Sequence, residues 1–388
     1  MTRASTAIEG NQPKRPIFVT RFGLSDRTAV GVQTRQILEH FPIHTHLYWN
    51  ESVLDPPVSE SHRIESKLHA PIARLKRNTT ISKLLPGFNV SWWRHDRPAS
   101  NVVSFLESLR EETSSVYLAP LDASDARRMT EIINILKRPF VLHLWDFLDN
   151  ENDATTRRLI ENAANVFCLN DKILSDVVAI RGDASILTFR RAAAKNTAKR
   201  SDVEEIRVAL SGELGVYLGG VKCLIAATQH LRERGRQCSV VYLGTSKRDL
   251  KRSGLASSDL ISVKGFIPSA EHRDQVLSKC TVGFIPGPLL SPESNARSKY
   301  SIPSRILDFM AVGLPIAGTL HPDSAAFSFC RNFGLDEWLF RDDPEQVAHA
   351  LAMLADPLEW QRCSQKSFAA FLKLIEAYDL SELKSMLI

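Results

Sequence analysis

The sequence predicts an α/β protein built from two doubly wound parallel-sheet domains, on three observations. Short apolar runs of strand length alternate with amphipathic stretches of helix length, the pattern of βαβ units. That alternation occurs twice, on either side of a polar, basic stretch at 190–202 that lacks large apolar residues. The length, 388 residues, suits two domains better than one.

In chain order, the strands of the first half read as PIFVT (16–20), HTHLYW (44–49), SVYLAP (115–120), PFVLHLW (139–145), NVFCLN (165–170) and SILTF (185–189), with helical stretches between most of them. The second series reads IRVALSG (206–212), CSVVYLG (238–244), LISVKGF (260–266), CTVGFIP (280–286) and PIAGT (315–319), with helices at 219–234, 270–279, 301–312 and 344–355. Residues 1–195 and 203–360 are the expected domains. A Trp-bearing helical tail, 361–388, is expected to cross back onto the first. Two such domains facing each other leave a cleft between the carboxyl ends of their sheets, where ligands bind in folds of this kind.

Composition narrows the function classes. Hydrophobic content of 44% and charged content of 24% are ordinary for a globular chain. No apolar run reaches the roughly 18 to 20 residues needed to span a bilayer, and no apolar h-region precedes Ile17. The six cysteines are scattered singly, as buried free thiols of a reducing cytosol are. Basic charge is concentrated early: residues 1–200 hold 28 Lys and Arg against 22 Asp and Glu. Residues 61–97 carry eight of those cations and end near Trp92 and Trp93, a combination suited to an anionic acceptor or a phosphate-rich membrane face. No ordered nucleic-acid reading motif accompanies it, so no nucleic-acid partner is expected.

One stretch carries chemistry. In SIPSRILDFMAVGLPIAGT (301–319) an acid, Asp308, interrupts an apolar helix that runs into Gly-Leu-Pro and a strand. Ser304 and Arg305 precede it in the first turn, where unpaired backbone N–H groups and the positive end of the helix favour a diphosphate. With CTVGFIPGPLLSPESNARSKY before it, ALSGELGVYLGGVKCLIAATQHLRERGRQCSVVYLG (209–244) and VKGFIP, the ordered set resembles the donor-binding half of GT-B fold glycosyltransferases, of the family 4-like group. The resemblance covers about residues 205–320 well and the first half weakly.

It implies a sugar-nucleotide donor, UDP- or GDP-linked, and a glycan or lipid-linked hydroxyl acceptor, with transfer that retains anomeric configuration and needs no metal or other cofactor. Asp308 would bind the ribose, Ser304, Arg305, Gly212, Gly219 and Lys222 the diphosphate, Phe266 and Ile267 the base, and Glu293 and Asn295 the donor sugar. In the first half it implies acceptor contacts at Gly23, Gly31 and Gln33, with Asp146 and His143, on the strand 139–145 and its end, as catalytic candidates beside Arg305. The implied setting is cell-surface glycan or polysaccharide assembly at the cytoplasmic face of a membrane. Three departures stand out. Glu213 and Gly219 occupy places where relatives often carry Arg and Lys, and Tyr300 stands where the first acid of a spaced pair belongs. A GT-B protein that binds or scaffolds without chemistry is the alternative; an epimerase would need a denser set of cleft acids.

Overall fold

The computed structural model describes residues 14–22, 29–41, 43–50, 61–63, 100–145, 154–188, 191, 198, 205–212, 214–255, 259–267, 269–287, 299–340 and 343–388. Gly23, Trp92, Trp93, Asp146, Glu293 and Asn295 lie outside them.

The first sheet comprises β1 (Arg15–Phe22), β2 (Thr45–Asn50), β3 (Ser61–Arg63), β4 (Thr113–Ala119), β5 (Phe140–Leu144), β6 (Asn165–Cys168) and β7 (Ser185–Ile186), in the order β3-β2-β1-β4-β5-β6-β7. Every pairing is parallel. Alternation along each strand divides the side chains between two covered faces. Ile17, Val19, Val116, Leu118 and Leu142 meet helices α2 (Ser100–Leu109), α3 (Ala123–Leu136), α4 (Ala154–Asn162) and α5 (Asp171–Arg181). Phe18, Tyr117, Val141 and Phe167 face the other way, toward α1 (Ala29–Leu38).

The second sheet holds β8 (Ile206–Ser211), β9 (Cys238–Leu243), β10 (Ile261–Gly265), β11 (Val282–Pro286), β12 (Ile316–Thr319) and β13 (Leu339–Phe340), ordered β10-β9-β8-β11-β12-β13 and again parallel throughout. One face packs α6 (Leu218–Glu233) and α11 (Pro344–Met353); the other packs α9 (Arg305–Val312), α10 (Ala325–Asn332) and α12 (Pro357–Glu376). Two short helices, α7 (Lys247–Arg252) and α8 (Ala270–Leu277), follow β9 and β10.

After α12 the chain returns to the first sheet as α13 (Ser381–Leu387), whose Leu383 and Leu387 join Phe18 and Tyr117 in one apolar cluster. Ser114 and Ser115 donate to the Leu387 carbonyl at 2.9 and 2.7 Å, and Asn165 and Ser185 donate to Glu382, each at 2.8 Å. All six cysteines are buried free thiols. Among the described residues no helix is long and apolar enough to cross a membrane.

Two strands, β3 and β13, and two helices, α7 and α10, go beyond the sequence expectation, being too short for a periodic signal. One boundary moves. The helix expected over 301–312 starts at Arg305, because Pro303 disfavours helical backbone at the residue before it.

Candidate functional site

In each sheet the chain first winds outward from one strand and then returns to its other side, so the topological switch points fall between β1 and β4 and between β8 and β11. Crevices open at the carboxyl ends of strands at such points.

At the second switch point β8 is followed by Gly212 at φ +102°, β9 is followed by Gly244 (φ +90°), and β10 ends at Gly265 (φ +68°). The left-handed conformation lets each strand turn away directly at the cleft edge. Gly212 has a further reason to lack a side chain: a Cβ there would stand 2.7 Å from Nη2 of Arg305. The Arg305 guanidinium lies against Gly212 and over the Tyr217 ring, 4.5 Å from its centroid, with only 7% of the residue exposed. Arg305 is the first residue of α9, and Tyr217 is the N-cap of α6. Neither helix receives a side-chain cap, whereas α7, α8, α10, α11 and α12 all do. Two helix N-termini therefore meet at one buried guanidinium, an arrangement suited to a multiply charged anion, while backbone carbonyls of Gly215, Pro303 and Ser304 already accept from the Leu218, Ile306 and Leu307 N–H groups.

Close packing fixes the two helices. A Cβ at Gly220, in the first turn of α6, would meet Thr319 Oγ1 at 2.5 Å and the Gly287 carbonyl at 2.7 Å; one at Gly283 would enter the Phe309 ring of α9 at 2.5 Å. Of the Gly219–Gly220 pair, Gly219 is half-buried, and Gly220 is the one that packs closely against the sheet. Lys222 is exposed on α6. Phe266, just past β10, is 44% exposed, while Ile267 is buried in the core.

Asp308 is not the open carboxylate that its place in the sequence suggests. Its Oδ1 lies 3.1 Å from Nε of Arg191 and 3.3 Å from Nη2 of Arg273. Arg191 comes from the stretch joining the two sheets, and it also pairs with Asp274 of α8. These four charges form a network in which Arg191 and Arg273 both pair with Oδ1 of Asp308.

The catalytic expectation for His143 is corrected. The ring is 1% exposed, its Nδ1 is 2.6 Å from the Tyr117 hydroxyl and its Nε2 is 2.9 Å from the Leu187 carbonyl. Burial pushes its pKa down to about 3, so it is a neutral core histidine with both nitrogens engaged. Gly31 and Gln33 are buried on α1.

At the first switch point the structure brings together residues that the sequence reading passed over. Arg21, near the end of β1, meets Asp122 at 2.6 Å and Asp125 at 3.6 Å, both on the turn that opens α3. Asp122 caps the helix by accepting from Asp125 N–H, and Asp125 accepts from Leu121 N–H at 3.1 Å. Burial raises the Asp125 carboxyl to about 6 against the opposing pull of Arg21. The cap signal LDASD was legible at 121–125; its meeting with Arg21 required the strand order.

Among the described residues, Glu337, Glu359 and Cys363 alone group as potential metal ligands, and Arg362 already pairs with both carboxylates.

No protein-family model matches the chain, and no curated protein sequence matches it. Solved structures do. A crystal structure of Anabaena HepE in complex with UDP and glucose superposes with a TM-score of 0.60 at 13% identity, covering 96% of this chain and 97% of that one. An α,α-trehalose 6-phosphate synthase from Burkholderia multivorans gives a TM-score of 0.59 at 13% identity, with 96% of each chain covered. The OtsA apo structure gives 0.59 at 9% identity over 96% and 99%. The chain therefore has the GT-B fold, two doubly wound domains facing a central cleft.

Proposed function

We propose that this protein is a glycosyltransferase that moves a sugar from a nucleoside-diphosphate sugar to a hydroxyl of a glycan or lipid-linked acceptor. The observation that carries the reading is the Arg305 guanidinium held against Gly212 and Tyr217 where the N-termini of α6 and α9 meet. Glycosyl transfer from such a donor develops charge on the departing diphosphate, and preorganised cationic and N–H groups at that position lower the barrier without reorganisation. Arg305 thus takes the place of the basic residues that Glu213 and Gly219 displace.

In this reading Ser304, Gly212 and Gly219 present backbone to the diphosphate, and exposed Phe266 stacks on the base beside Ile267. Asp308 reaches the ribose through Oδ2, with Arg191 and Arg273 holding Oδ1 in place. UDP is the first nucleotide to try, since HepE and an E. coli trehalose-6-phosphate protein carry UDP or UDP-sugar ligands in their crystal structures. The acceptor enters from the side of Arg21 and Asp122. Retention of configuration, independence of metal and a place in surface-glycan assembly at a membrane face complete the proposal.

A second reading, a GT-B protein that binds without catalysing, is favoured by Tyr300 in place of an acid and by the ion pairs already made at Asp308. Calorimetry with UDP, GDP, ADP and TDP, followed by donor turnover with UDP-glucose and other UDP-hexoses, separates the two. Binding of one nucleotide that Arg305→Ala weakens at least tenfold, with release of nucleotide from its sugar donor, upholds the transferase. Binding without turnover, or no nucleotide binding at millimolar concentration, selects the second reading, and donor turnover refutes it.

A further inference from the structure

Tyr300 belongs to the second half of the chain, five residues before Arg305, yet its side chain is buried elsewhere. It is 1% exposed and lies in the apolar cluster of the first sheet with Ile173 and Val177 of α5. Its hydroxyl donates to Asp176 Oδ2 on α5 at 2.6 Å, and its carbonyl accepts from Asn170 Nδ2, the N-cap side chain of that helix, at 2.7 Å. Lys299 adds a 4.0 Å approach to the same Asp176 carboxylate and lies 4.6 Å from the Tyr300 ring centroid. Ile302, two residues on, is already in the core of the second domain.

The chain between anchor and helix is short and stiff. Five residues span at most about 17 Å, and Pro303 fixes one of the torsions. The other end of α9 is held as well: Arg191 grips Asp308, and Ala198 N–H donates to the Val312 carbonyl at 2.8 Å. Helix α9, whose first residue is Arg305, is thus tied to the first domain before it starts and to the interdomain stretch along its length.

We propose that Tyr300 is a positioning residue that couples the arrangement of the two domains to the anion grip of Arg305. A change in the angle between the domains moves α5, pulls on Tyr300 and shifts the start of α9; an anion held at Arg305 favours the domain arrangement that leaves the Tyr300 anchor seated. This rests on the nucleotide reading above for its ligand, though not for the anchor itself.

The test uses the full chain with Tyr300→Phe, Asp176→Ala and the double variant, UDP as probe, calorimetry for affinity and small-angle scattering for the radius of gyration. Each single change weakens UDP binding about 3- to 10-fold, as loss of one hydrogen bond that must re-form does, and the double variant is no weaker than either single. The ligand-free variants scatter as a more open pair of domains. UDP affinity within twofold of wild type, with only a lowered unfolding temperature, reduces Tyr300 to a packing residue and overturns the proposal. If the wild type binds no nucleotide, the functional reading fails by itself. Ligand-free scattering then decides the anchor: a larger radius in Tyr300→Phe upholds it, an unchanged one overturns it.

Discussion

Replacing Gly212 by alanine separates the site's geometry from ordinary backbone strain. The substitution imposes two costs. At φ +102° a β-carbon is strained, by about 1 to 3 kcal/mol for a residue held in a sparsely populated region. The new methyl also falls 2.7 Å from Arg305 Nη2 and 3.0 Å from its Cζ, closer than real contacts allow, so the guanidinium must leave its seat over β8. Gly235 supplies the control, since its φ of +78° imposes comparable strain while nothing stands within 4 Å of its Cβ position. Denaturant unfolding of Gly235→Ala is expected to show a loss of about 1 to 3 kcal/mol with nucleotide affinity unchanged. For Gly212→Ala the loss is at least as large, and UDP affinity falls about tenfold or more, the worth of one displaced charge-assisted contact of about 1.5 to 3 kcal/mol. Wild-type affinity in Gly212→Ala would refute the assignment of Arg305 to the anion.

Three other outcomes are expected. Phe266→Ala weakens nucleotide binding about five- to a hundredfold by calorimetry, the range of a lost base-stacking contact of about 1 to 3 kcal/mol, with little change in stability because the ring is 44% exposed. His143 carries a pH signature: its folded pKa, about 3, lies below the unfolded value of 6.5, so its contribution is complete above pH 6.5 and is lost as pH falls toward 3. By pH 5 the loss is about 2 kcal/mol, and His143→Gln should flatten the stability curve between pH 6.5 and 5 by that amount in urea titrations, leaving the similar contribution of His46. Donor turnover is unchanged after treatment with EDTA; loss of turnover restored by added magnesium or manganese would replace the metal-independent mechanism.

How far the site was legible depends on how local each signal is. Gly212, Ser304 and Arg305 stood out because a strand ending in glycine and an anion-ready helix start are written in adjacent residues. Asp308 stood out for the same reason, but the arginines that grip it lie 117 and 35 positions away in the sequence, beyond any spacing rule. His143 misled because a histidine beside a strand end has the same sequence appearance whether its ring faces a cleft or, as here, the Tyr117 hydroxyl inside a core. Arg21 and Asp125 were missed because β1 and β4 become neighbours only after the chain has wound out to β3 and returned.

The sequence by itself determined the alternation of strands and helices, the two-domain division and the resemblance to GT-B proteins, since hydrophobic period, glycine at strand ends and short motifs act within a few residues of chain. The tertiary structure decided the partners. It put the Arg305 guanidinium against Gly212 and Tyr217, gave the Asp308 carboxylate to two arginines, and buried Tyr300 in the opposite domain. Those outcomes depend on which groups a closed packing brings within a few ångströms, where charge and hydrogen-bond energies fall steeply with distance.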